Sequence, residues 1–241
     1  DPAESKRQAA IAYVQYGIDL AAARAGGTQF AADGGWRQGR KLVLTLSAEL
    51  LDDDAMRALV RDAPYNTYAE DGQLYRSPVH GRVLWGAPCD AARYWHAQRQ
   101  ASTGDCRDPY GYIDGGTPGL LDGEAGYQFC CTTGNFVQTA VALHVMPQLQ
   151  CTWSNDDLLE YADRWMTFGA WTREDPYAPL GDGALDTDPS DGIGRHPARH
   201  GTGRGSSWAG TGFGAAMWDA YRPGAGPPGC SALTAFAPGL P

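Results

Sequence analysis

Three stretches of this chain carry residue types that could do chemistry together. Tyr65-Asn66-Thr67-Tyr68-Ala69-Glu70-Asp71 mixes rings with amide and carboxylate groups, and Tyr94-Trp95-His96 and Tyr110-Gly111-Tyr112-Ile113-Asp114 repeat the mixture. A sugar presents a flat apolar face ringed by hydroxyls, so its site combines Trp or Tyr platforms with carboxylates, Arg and Asn. Glycoside hydrolysis needs two carboxyl groups at a defined separation, one with a raised pKa. β-Elimination from a uronate needs a base such as Tyr or His and a group that neutralises the substrate carboxylate. Glu70, Asp71, His80, His96, Tyr112 and Asp114 could fill either set. The reading adopted makes Tyr112, His80 or His96 the base or acid, with Glu70 or Asp114 as carboxylate partner. Tyr68, Trp85, Tyr94 and Trp95 would stack on sugar. The plain alternatives are rings that pack long loops onto the core and acids that sit in solvent.

The segment Trp36-Arg37-Gln38-Gly39-Arg40-Lys41 opens a helix with three cations. Cations at a helix N-terminus oppose the macrodipole, which suggests either an anionic ligand or a structural ion pair. Trp36, Arg37 and Arg40 therefore join the substrate-binding candidates. His144 falls on the apolar face of a helix and reads as a satisfied core histidine. Asp182, Asp186, Asp188 and Asp191 cluster beside Gly192, and oxygen-rich loops of this kind suit Ca²⁺. Asp186, Asp188 and Asp191 are the ligands expected, although the spacing is one residue off the EF-hand pattern and lacks its closing Glu. A structural Ca²⁺ is thus one expectation and a solvated loop the other; no cofactor is required for either reaction. Gly201, Gly203 and Gly205 follow a Pro/His/Arg segment rather than a hydrophobic strand, so a dinucleotide site fails its context, and neither HExxH nor GxSxG occurs.

Helices must position these groups. From Ala9 to Ala25 the residues Ile11, Val14, Ile18, Ala22 and Ala25 follow the spacing of one helix face, and Gly26-Gly27 ends the pattern. A second helix is predicted from Arg40 to Leu51 with a Leu42-Leu46-Leu50 stripe. Asp52-Asp53-Asp54 then leads into a third over Ala55 to Arg61. From Pro64 to Gly126 the periodicity fades into aromatic loop, with a short extended piece at Arg82 to Trp85. Helix returns at Asn135, where Val137, Ala140, Val141, His144 and Val145 share a face that Pro147 stops. Ser154 and Asp157 have the spacing of a capping box for a further helix with Leu158, Ala162, Trp165 and Met166 as its apolar stripe. A last short helix is predicted near Phe213 to Tyr221.

Six cysteines, Cys89, Cys106, Cys130, Cys131, Cys151 and Cys230, lie among these loops. An even count in such surroundings reads as a disulfide framework, hence a secreted, extracellular or periplasmic protein. A Cys89–Cys106 bridge would contribute about 3 kcal/mol on the chain-entropy model. Cys130 and Cys131 are expected to pair with Cys151 and Cys230, in either order. The start at Asp1-Pro2 suits a chain from which a leader has been removed or one domain of a longer protein. The formal net charge of −9 disfavours nucleic acid or an anionic membrane as partner. No stretch of the sequence approaches the length of a membrane span.

The Gly39-Arg40-Lys41-Leu42 helix entry, the run Tyr68-Ala69-Glu70-Asp71-Gly72-Gln73 and the helix from Leu158 to Met166 resemble the α/α-toroid carbohydrate-active enzymes. These are the polysaccharide lyases and inverting glycoside hydrolases built from rings of paired helices. The resemblance covers residues 9–170 and is one of organisation. It implies a mainly α fold of helical hairpins, partly toroid-like, with long disulfide-stapled loops and a few short strands. One domain over 1–241 is expected, helical over 9–170 and loop-rich over 171–241. The function expected is degradation of a polysaccharide by elimination or hydrolysis. The alternative is a non-catalytic extracellular protein that binds glycan or assembles with copies of itself.

Overall fold

The computed structural model describes residues 3–32, 36–76, 81, 83–86, 131–168 and 212–224. Over these residues the chain is mainly helical. Helix α1 spans Ala3–Ala25 and ends in Gly27 at φ 95°. There the Gly27 amide donates to the Arg24 carbonyl and the Thr28 amide to that of Ala23, a Schellman closure that needs a left-handed residue. Helix α2 spans Arg40–Leu51, and α3 spans Asp54–Arg61. Asp53 caps α3 by accepting the Met56 amide at 3.0 Å. A single turn, α4, occupies Ala69–Gly72. Strands β1, Leu74–Arg76, and β2, Val83–Trp85, pair antiparallel with Leu74 opposite Trp85 and Arg76 opposite Val83. Then follow α5, Thr133–Val145, α6, Leu149–Trp153, α7, Asp157–Phe168, and α8, Gly212–Tyr221.

Helix α2 lies between two apolar clusters. On one side Val43, Leu44 and Ala48 pack with Leu20 and Ala21 of α1, Met56 and Val60 of α3, and Phe30 and Tyr68. On the other, Leu42 and Leu46 meet a larger cluster from the hairpin, α5, α6, α7 and Trp218 of α8. Trp85, Trp153 and Trp165 are fully buried there. Burying each such ring removes a large apolar area from water, at roughly 25 cal/mol per Å².

Several local expectations meet a different packing. The Ile11–Ile18 stripe of α1 faces outward, with Ile11 52% and Ile18 40% exposed, whereas Gly17, Leu20 and Ala21 are buried. The backbone decides this: a Cβ at Gly17 would lie 2.0 Å from Ser47 Oγ, so at the glycine α1 and α2 approach too closely for a side chain. Leu50 is likewise exposed, while Lys41, Thr45 and Ser47 are buried on α2. Ser154 does not open a capping box. It closes α6 in the left-handed region, and Asn155 Oδ1 accepts the Asp157 amide to start α7. The Leu158, Ala162, Trp165 and Met166 stripe is buried as expected. Among the described residues no cysteine is free, and Cys131 and Cys151 are both disulfide-bonded. Cys89, Cys106, Cys130 and Cys230 lie outside the described residues. No described helix is long and apolar enough to cross a membrane.

Candidate functional site

An open cleft of about 560 Å³ lies between α1, the start of α2 and α5. That is the size of a small-molecule or sugar site. Tyr13 and Tyr16, one turn apart on α1, supply one wall. Asn135, Gln138 and Thr139 of α5 supply the other, with Gln38, Gly39 and Arg40 between them. The turn ahead of α2 is possible because Gly39 takes a left-handed φ of 88°, with no atom of the described residues within 4 Å of where a Cβ would stand.

Two sets of hydrogen bonds hold this floor. Glu70, on α4 and 1% exposed, accepts the Gly39 amide on Oε1 at 2.6 Å. Its Oε2 has no hydrogen-bond partner among the described residues. Burial, reinforced by the neighbouring Asp71 charge, pushes the Glu70 carboxyl up to about 7, against the pull of its own and Gly39's amides and of Lys41. Above it, Gln38 Nε2 donates to Gln73 Oε1 at 2.7 Å, and Asn135 Nδ2 donates to Gln38 Oε1 at 2.7 Å. This row of carboxamides ties the hairpin approach, the α2 entry and α5 to one another. Tyr13 is raised above the ordinary phenol value by burial, then by Glu70 and Tyr16. A raised phenol is a poor base at neutral pH and serves better as a neutral hydroxyl.

The three cations at the α2 entry separate. Lys41 turns inward, where its Nζ meets both oxygens of Asp71 at 2.7 and 2.9 Å and lies 4.4 Å from the centre of the Trp153 ring. Asn155 Nδ2 donates to Asp71 Oδ1 at 3.1 Å and completes that site. Lys41 is therefore the structural ion pair that its position suggested. Arg40 donates from Nη1 to the carbonyls of Trp36 and Gln38 and lines the cleft. Arg37 is exposed, and Trp36, at 80% exposure, stands out into solvent.

The other expected site residues fall as follows. Tyr68 is fully buried, stacked on Phe30, with its hydroxyl donating to the Leu59 carbonyl at 2.9 Å; burial pushes it up to about 12. Trp85 is buried with its indole N–H on Thr132 Oγ1 at 2.9 Å. Neither ring presents a face to the cleft, so stacking on sugar is corrected to packing of the core. Glu70 stands behind the cleft floor rather than in it. His144 is buried as expected but not satisfied: neither ring nitrogen has a hydrogen-bond partner among the described residues, its edge meets Trp218, and burial lowers its pKa. His80, Tyr94, Trp95, His96, Tyr112, Asp114, Asp186, Asp188 and Asp191 lie outside the described residues. Among the described residues no group of three His, Cys, Asp or Glu side chains could hold a metal ion.

Tyr13, Tyr16, Asn135, Gln138 and Thr139 were not singled out in the sequence. The available signal was the i, i+3 spacing of the two tyrosines opposite the aliphatic stripe of α1. Chemically the cleft offers two phenol rings, three carboxamides, a hydroxyl and one guanidinium, and among the described residues no carboxylate lines it. Comparison with models of known families, with curated proteins and with solved structures found no match to this chain.

Proposed function

We propose that this chain is a secreted carbohydrate-active protein, built on helical hairpins of the α/α-toroid kind, that holds a polysaccharide in the cleft between α1, α2 and α5. The observation that carries the reading is the convergence of Tyr13 and Tyr16 with Asn135 and Gln138 around one cavity, with Gln38 holding Asn135 from below. Phenol rings offer stacking surface, and carboxamides offer a donor and an acceptor side by side, the pairing that sugar hydroxyls demand. Arg40 adds one positive charge, suited to a uronate carboxylate. The disulfide-bonded Cys131 and Cys151 support an oxidising compartment.

Binding is the primary role in this reading, because hydrolysis needs a pair of carboxyl groups and the described lining contains none. A degradative step, by elimination or hydrolysis, is assigned to His80, His96, Tyr112 or Asp114. Structural Ca²⁺ at Asp186, Asp188 and Asp191 belongs to the same proposal. The test is affinity electrophoresis of the oxidised protein through pectate, alginate, xylan and galactomannan. Unsaturated uronates and reducing ends are followed in parallel, with Ca²⁺ present. Retardation by at least one polysaccharide, weakened about tenfold in Tyr16→Ala, is the expected result. Free migration through all four would overturn the proposal. Product formation in either channel adds catalysis to binding.

A further inference from the structure

We infer that Asn135 is the specificity-determining residue of this cleft and that it reads a pair of adjacent sugar hydroxyls. The inference rests on the glycan-binding reading above. A carboxamide on a surface can turn over and exchange its oxygen and nitrogen, which makes it a poor discriminator. Asn135 is not free in this way. Its Nδ2 donates to Gln38 Oε1 at 2.7 Å, and Gln38 is itself committed because its Nε2 donates to Gln73 Oε1 at 2.7 Å. Gln38 and Gln73 are both buried, so the row is shielded from competing water. Turning Asn135 over would set its oxygen against the oxygen of Gln38.

The carboxamide of Asn135 therefore lines the cleft in one orientation, with Oδ1 and the second Nδ2–H making no bond to any described residue. One fixed donor beside one fixed acceptor matches two neighbouring hydroxyls, the first accepting and the second donating. It matches a lone hydroxyl, an ester or an ether less well, since one partner is then covered by the bound sugar and left unmet. Gln138 is exposed and has no such tether, so it supplies contact without discrimination. The ligand class is accordingly a glycan whose sugar units carry unsubstituted adjacent hydroxyls.

The experiment uses xylan and galactomannan, each in its free form and after partial O-acetylation. Acetylation leaves the sugar ring and its stacking face intact while blocking hydroxyls. The wild-type chain is expected to bind the free form about tenfold more tightly than the acetylated form. Asn135→Ala is expected to weaken binding of the free form about tenfold and bring the two forms within about twofold of each other. Gln138→Ala is expected to keep the wild-type ratio. If Asn135→Ala does not fold, judged by its thermal melt, the isosteric Asn135→Asp carries the same comparison, since it replaces the tethered donor with an acceptor. Wild-type binding that ignores acetylation, or an Asn135 variant that keeps the wild-type ratio, would overturn the inference while leaving glycan binding in place. Failure of the wild type to bind either free polysaccharide would also overturn the inference, and only free migration through pectate and alginate as well would remove the reading on which it rests.

Discussion

The Gly39 amide donates to Glu70 Oε1 at 2.6 Å, so a fully buried carboxyl fixes the backbone at the floor of the cleft. The same burial makes that carboxyl a source of pH-dependent stability. Unfolded, it titrates near 4.5; folded, it is pushed up to about 7. Between these values the folded state keeps a proton that the unfolded state has lost. Stability therefore falls as pH rises through that window and levels off above it, by about 3 kcal/mol in full. Glu70→Gln keeps an acceptor for Gly39 and cannot ionise. The difference in unfolding free energy between variant and wild type, measured by urea denaturation from pH 5 to 8, should grow in the variant's favour as pH rises. A difference that stays flat across that range would show that the carboxyl ionises normally.

Lys41 and Asp71 behave differently, because each charge is met in full. The ammonium is 2% exposed and the carboxylate 13%, and Asn155 and the Trp153 ring complete the site. Removing one member leaves the other buried and uncompensated. Lys41→Met should cost about 3–5 kcal/mol, whereas the double variant Lys41→Met with Asp71→Leu should recover much of that loss. The coupling comes from a double-mutant cycle in guanidinium chloride, provided salt dependence is checked in urea. Additive losses would mean that the pair is not a unit.

Helices α1 and α2 meet where side chain is missing. A Cβ on Gly17 would stand 2.0 Å from Ser47 Oγ and 2.5 Å from Ser47 Cβ. Both atoms belong to one side chain, so Gly17→Ala should destabilise by about 1–3 kcal/mol and Ser47→Gly should restore part of it. Because Tyr13 and Tyr16 ride on the same helix, the unrescued variant should also weaken the proposed glycan binding. An unchanged melting temperature in Gly17→Ala would show that α1 can shift away from α2 at no cost.

Much of the helical framework was legible because capping and breaking residues act locally. Gly26-Gly27, Asp53 and Pro147 mark ends that hydrogen-bond geometry enforces. The faces were less legible. Ile11 and Ile18 satisfy the period of an amphipathic helix, yet the buried line passes through Gly17, whose value is the space it leaves, and hydrophobicity does not register space. The cleft was harder still. Tyr68 and Trp85 had the right chemistry for sugar but are consumed by the core, while Asn135 and Gln38 gain meaning only because folding brings residues 97 positions apart to 2.7 Å. The Trp36–Lys41 segment read as either an anion site or a structural ion pair; of its three cations, only folding could show that Lys41 pairs with Asp71 and that Arg40 lines the cleft.

Cys131 and Cys151 link the framework to redox state. Both are disulfide-bonded, Cys131 just ahead of α5 and Cys151 within α6, which packs on α2 and α3. A bridge that constrains the unfolded chain typically adds about 2–5 kcal/mol to a domain of this kind. Reduction with dithiothreitol should therefore lower the urea midpoint by a matching amount. Since α5 carries Asn135 into the cleft, the proposed glycan binding should be lost on reduction at urea concentrations where the oxidised protein remains folded. Cys151→Ser should reproduce part of the stability loss without reductant, which separates the bridge from any other effect of the thiol. A midpoint unmoved by reduction, with complete thiol release verified by titration, would show that helix packing alone sustains the fold.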